Sequence, residues 1–191
     1  MVHRRQFWSF VAMLVLVAAV ASPASATTLQ RAGLDELVRG NAIVVSGRAL
    51  DARSYWNAEG TFILTDITFV ADTRLKGDPG QREFRFTILG GTVGNLTTII
   101  VGGPEVVPGK SYVLFLNRED LPGVDRALTI RELSQGIFDI VDGPGGMRAV
   151  SQARNERLVA DKFGKTDPVG GTAEIVLDQF SRDIRRVASG R

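Results

Sequence analysis

The chain opens on a nearly unbroken apolar run, Phe7 to Ala21, interrupted only by Ser9. Beyond it the pattern changes to short apolar stretches punctuated by glycine and proline. Thr28 to Arg39 reads as a short helix: Leu34, Leu37 and Val38 fall on one face and Gly40 can end it. Ala42 to Leu50 then reads as a long strand, and Gly47 within it predicts a bulge or a sharp bend. Tyr55 and Trp56 end this strand beside a hairpin turn at Asn57-Ala58-Glu59-Gly60. A second strand runs from Thr61 to Ala71, and Lys76-Gly77-Asp78-Pro79-Gly80 makes the next turn.

Arg82 to Leu89 alternates most clearly, with Phe84, Phe86 and Ile88 on one face and Glu83, Arg85 and Thr87 on the other. That is a strand with one buried and one wet side. Gly90, Gly91 and Gly94 precede a β-rich run, Thr97 to Val101. Pro108-Gly109 turns the chain into Tyr112 to Leu116, which is apolar on both faces and so predicts a central strand. Leu128 to Ile130 and Ile137 to Val141 are shorter candidates, followed by a turn at Gly143-Pro144-Gly145-Gly146. Short strands at near-regular spacing predict a mainly β domain, a closed barrel or a sandwich. Residues 152–171 are polar and turn-rich and read as a linker. Thr172 can cap a last helix, Ala173 to Ser189, with an apolar stripe of Val176, Leu177, Phe180, Ile184 and Val187. This amphipathic helix either packs on the barrel or docks a partner.

The opening run gains meaning from its flanks. His3, Arg4 and Arg5 precede it, Pro23 breaks it, and Ala24-Ser25-Ala26 is a small-x-small cleavage site. Residues 1–26 therefore read as a signal peptide rather than a membrane anchor, since the run is shorter than about 20 residues. Arg4-Arg5-Gln6-Phe7 also fits a twin-arginine signal, so general secretion and twin-arginine export both stand. Periplasmic and extracellular destinations both remain open.

Composition then narrows the chemistry. The chain has no cysteine, and its one histidine is His3. Residues 27–191 hold neither thiol nor imidazole, which excludes Cys or His nucleophiles and His/Cys zinc sites. Without Arg4 and Arg5 the basic and acidic side chains balance, so the basic pI does not predict nucleic-acid binding. Gly109-Lys110-Ser111 has the end of a phosphate-binding loop, but Pro104 stands where that motif needs glycine and a strand follows it. Glu119, Asp120 and Asp125 crowd one loop without the spacing of a calcium site. Lys110 and Ser111 are adjacent, so a strand would point them to opposite faces. We therefore expect no cofactor, no metal and no catalytic residue set. Asn95-Leu96-Thr97 is a glycosylation sequon, of consequence only in a eukaryotic secretory pathway.

An ordered series of short motifs resembles a set of bacterial exported proteins of unassigned function. It comprises Leu34-x-x-Leu37, Ala42 to Gly47, Leu75-Lys76-Gly77, Gly90-Gly91-x-Val93-Gly94, Gly103-Pro104, Pro108-Gly109, Leu114-Phe115-Leu116 and Gln135-Gly136-Ile137-Phe138. That layout is similar to netrin-like modules and tissue inhibitors of metalloproteinases. The resemblance implies a small OB-like barrel, closed or partly open, with a short N-terminal helix and a C-terminal amphipathic helix. The expected organisation is a signal peptide at 1–26, a barrel domain at 27–151, a linker at 152–171 and a helix at 172–191. The inhibitors act through an N-terminal cysteine; Thr27 and Thr28 stand at the expected terminus here, so only a terminal contact of another kind is implied.

The functional expectation is a non-catalytic binding module recognising a protein or a cell-surface polymer, without nucleic acid and without a stable membrane anchor. Its surface is the rim holding Tyr55, Trp56, Gly90, Gly91 and Gly94. The alternatives are a protease-associated or metalloprotease-inhibiting protein, and a hydrolase using carboxylates or serine.

Overall fold

The structure is a computed structural model that describes residues 32–131, 133–155 and 174–190. The expected signal peptide, Thr27, Thr28, Thr172 and residues 156–171 of the expected linker lie outside these. The described chain is mainly β, with a short helix at each end.

Helix α1 is Leu34–Gly40 and starts later than the sequence predicts, since Ala32 and Gly33 are not helical. Leu37 and Val38 are buried. Its last carbonyls are satisfied from outside: Lys76 Nζ donates to Val38 O at 2.5 Å and to Asn41 O at 2.6 Å. A cation is favoured at this negative end of the helix dipole.

Ten strands follow: β1 (Ile43–Trp56), β2 (Ile63–Lys76), β3 (Glu83–Leu89), β4 (Gly91–Val93), β5 (Leu96–Thr98), β6 (Ser111–Leu121), β7 (Val124–Ile130), β8 (Ile137–Gly143), β9 (Gly146–Ser151) and β10 (Ile175–Val176). Eight form one antiparallel sheet in the order β10-β9-β8-β6-β1-β2-β3, with β7 also on β6. The strand β6 is central, as its two-sided apolar run predicts. One edge pairs with β1, while the other is shared, Ser111–Leu114 with β8 and Leu116–Leu121 with β7. The strands β4 and β5 form a separate hairpin.

The first strand bends where the sequence predicts it. Its register against β2 shifts between Ser46 and Gly47, and again at Val44/Val45 and Ala49/Asp51. A Cβ at Gly47 would strike Val70 O and lie 2.8 Å from the Phe69 ring, so only glycine lets the two backbones meet here. The bends curl the sheet until β3 lies beside β7. No ladder joins these two strands among the described residues, so a closed barrel is not found.

Curling makes two cores. One lies inside the curve and includes Val45, Phe69, Phe86, Ile88, Tyr112, Leu114, Leu128 and Ile130. The other lies on the opposite face of β6 and holds Val113, Phe115 and Phe138 against the helices. Helix α2 is Leu177–Ala188. Phe180 and Ile184 are fully buried there, and the Phe180 ring centroid is 4.7 Å from that of Phe138. Of the two readings of the last helix, packing on the sheet is the one observed.

Four sequence expectations change. Residues 147–150 belong to a strand, β9, paired with β8 across the predicted glycine turn. Ile175 and Val176 form β10 rather than the first turn of the helix, and Val176 is exposed. The expected linker does not begin at 152, because Gln152 bonds both Glu105 backbone groups and Asp139, and Ala153 is buried. Residues 99–101 are not strand. The strand β5 has no partner past Thr98, because its own partner β4 begins at Gly91, opposite Thr98.

Candidate functional site

The predicted rim lies where β1 turns into β2. Buried Asn57 builds that turn. Its Oδ1 accepts from Thr61 N at 2.8 Å and Phe62 N at 2.9 Å, and its Nδ2 donates to Glu59 Oε2 at 2.7 Å. Such side-chain to backbone bonds are the usual way asparagine fixes a turn. Alternation along β1 then puts Tyr55 on the outer face of the sheet and Ser54 and Trp56 on the inner one. The predicted rim residues therefore divide between two surfaces.

On the inner side, Gly90 and Gly91 carry the chain out of β3 with φ of 91° and 128°. Gly90 N donates to Ile63 O at 2.8 Å, and Thr65 Oγ1 donates to Gly90 O at 2.6 Å. Thr65 Oγ1 also lies 2.9 Å from Ser54 Oγ, which accepts from Thr92 N at 3.3 Å. A Cβ on Gly91 would collide with both hydroxyls. These glycines therefore lock the β4–β5 hairpin against the ends of β1 and β2. Gly94, at the hairpin tip with φ of 60°, faces open space.

The residues after the hairpin were not singled out by the sequence. Leu96 is 61% exposed, Ile99 82% and Val101 89%, and Trp56 is 39% exposed. Sequence reasoning read Ile99 and Val101 as strand residues, and their lack of a partner strand is a tertiary fact. Beneath them Ile100 turns inward and helps line a cleft of about 450 Å³ with Ala52, Ile67, Ile88 and Val106.

On the outer side, three strands present two cross-strand rows. Asp51, Thr68 and Arg85 form one; Arg53, Asp66 and Thr87 form the other. Asp66 Oδ1 accepts from Thr87 Oγ1 at 2.7 Å and from Tyr55 Oη at 3.1 Å, and Arg85 lies 3.8 Å from Oδ2. Thr87 is consequently buried, although it lies on the strand's polar face. Burial, then the adjacent Asp66 charge, raise the Tyr55 pKa above 10.0 and keep it a neutral donor. These side chains enclose an open groove of about 450 Å³.

Ser54 and Thr65 bond each other, and among the described residues no lysine or carboxylate is hydrogen-bonded to either. Asp51 is exposed, and Asp66 is surrounded by hydrogen-bond donors. Lys110 precedes β6 and is exposed. Glu119 and Asp120 lie in β6 and Asp125 in β7 rather than in one loop; Glu119 pairs with Arg131 at 3.2 Å, and Asp120 accepts from Arg126 N at 2.8 Å. Among the described residues no group of three or more His, Cys, Asp or Glu can hold a metal, and no helix is long and apolar enough to cross a membrane. Comparison with protein-family models and with curated proteins gives no match for this chain.

Proposed function

We propose that this protein is an exported, non-catalytic binding module that recognises a protein or a cell-surface polymer at its hairpin rim. One observation carries the reading. Leu96, Ile99 and Val101 are exposed on and just after a hairpin that Gly90 and Gly91 hold in place, although two other cores bury the chain's apolar residues efficiently. Three exposed apolar side chains within one short stretch beside polar strands fit an interaction site. Trp56 supplies an aromatic anchor of the kind that dominates interfaces. Export rests on the leader at residues 1–26.

The test is cross-linked capture from secreted and envelope fractions with the native protein and with Ile99→Asp plus Val101→Asp. Both side chains are solvent-facing, so melting should change little while the specific partner is lost. Equal capture by both proteins removes the rim from consideration.

The metalloprotease-inhibitor reading draws support from layout alone. The orders β1-β2-β3 and β1-β6-β7, with β3 beside β7, are compatible with the OB-type barrel that the sequence resemblance implies. It predicts inhibition that disappears when residues are added before Thr27; absence of inhibition against a panel of metalloproteases ends it.

A further inference from the structure

The outer groove is a second surface, separate from the rim. Strand alternation and register set its form. Neighbouring strands are about 4.8 Å apart and successive outward residues about 6.8 Å apart along each strand. The two rows and Tyr55 therefore cover about 10 by 14 Å, the footprint of a few pyranose rings.

Its charges are unevenly used. Asp66 is satisfied by Thr87, Tyr55 and Arg85. Arg85 is held only at 3.8 Å and its side chain is 68% exposed. Asp51 and Arg53 face the same groove, and neither side chain makes a hydrogen bond or ion pair among the described residues. Elsewhere on β2, β3 and the turn between them, Arg74 and Arg82 are paired with Asp78 and Asp72. Tyr55 is tethered through its hydroxyl, which fixes the ring as a wall of the groove.

We propose that this groove binds a carboxylated oligosaccharide, a uronate-bearing sugar chain. Arg53 and Arg85 receive the sugar carboxylate, Asp51 and Thr68 bond ring hydroxyls, and Tyr55 offers its face to a pyranose ring. The mixed set of groups selects this class. A phosphate polymer brings acceptors only and leaves the Asp51 carboxylate without a donor, whereas sugar hydroxyls supply one. A neutral sugar would leave two guanidinium groups unused. A protein interface centres on a desolvated apolar patch, and among the described residues Tyr55 is the only large apolar surface lining this groove. Hydroxyls that both donate and accept, together with a carboxylate, match donors and acceptors alike.

The experiment is titration calorimetry of the purified protein with tetramers of galacturonate, mannuronate and glucuronate, with neutral galactan oligomers and polyphosphate as controls. At least one uronate should bind and the controls should not. Arg53→Gln should weaken that affinity about tenfold, as expected for loss of a charge-assisted contact. Tyr55→Ala should weaken it further than Tyr55→Phe, which keeps the ring. Both Arg53 and Tyr55 lie on the sheet surface, and circular dichroism verifies that each variant is folded. The Ile99→Asp plus Val101→Asp variant should retain uronate binding, which separates this site from the rim. Absence of uronate binding at millimolar concentration overturns the proposal, as does binding indifferent to Arg53→Gln. Comparable polyphosphate binding reduces the groove to charge attraction and also overturns it. If no uronate binds and Arg53→Gln abolishes capture of a protein, the groove is a protein interface instead.

Discussion

Single residues show how far local chemistry is set by distant neighbours. Tyr112 reads in sequence as part of an apolar run. In the fold its ring lies in the inner core, and its hydroxyl accepts from Val107 N at 2.8 Å. Burial is the main cause raising its pKa above 10.0. A raised tyrosine pKa favours the folded state fully below 10.0, and that advantage is lost as pH rises through the folded value. Lys76 works in the opposite sense, because burial lowers its pKa from 10.5 and rising pH removes a penalty on the folded state. Comparing Tyr112→Phe with the native protein isolates the tyrosine. Urea titrations from neutral pH to above 10.0 should show a shallower alkaline loss for the variant. At neutral pH the variant should be weaker by about 1 kcal/mol, the value of the lost hydroxyl contact. An unchanged alkaline slope would mean that Tyr112 does not govern it.

Elements were legible in proportion to how locally they are determined. The alternation of Phe84, Phe86 and Ile88 and the Asn57–Gly60 turn appear in the fold where the pattern predicts them. The strand β1 ends at Trp56, where the sequence places its end, and β2 pairs with it from Ile63, opposite Trp56. The strand β10 was hidden because Val176 extends an apolar stripe of helical spacing, and only β9 as a partner makes Ile175 and Val176 strand. Among the predicted rim glycines, Gly91 supports the hairpin and Gly94 merely shapes its tip. Gly91→Ala should cost about 1–3 kcal/mol through collision with Ser54 and Thr65 and an unfavourable φ. Gly94→Ala should cost about 1 kcal/mol, because strain is its only burden. Guanidinium melts distinguish the two; equal losses would show that Gly91 is not a packing point.

At the scale of the molecule, the two cores share β6. Phe115, Phe138 and Phe180 interlock with ring centroids 4.7 to 6.4 Å apart, so α2 is part of the fold's stability. Phe180→Ala should destabilise by about 3–5 kcal/mol in denaturant melts, the cost of emptying a fully buried aromatic site. A loss under about 1 kcal/mol would mean that the helix is dispensable and restore its reading as a docking element.

The sequence by itself determined the mainly β class, the placement of most turns, the central position of Tyr112 to Leu116 and the bend at Gly47. Those properties depend on side-chain periodicity and on which residues tolerate a turn or a close approach, and both are written locally. Only the tertiary structure decided that Tyr55 and Trp56 serve different faces, that Ile99 and Val101 are left bare, and that Arg53 and Asp51 share a groove. Those outcomes depend on which strand pairs with which, and in what register, across separations of 7 to 73 residues. Pairing is chosen by burial of the whole curled sheet, a sum over many distant contacts that no local pattern contains.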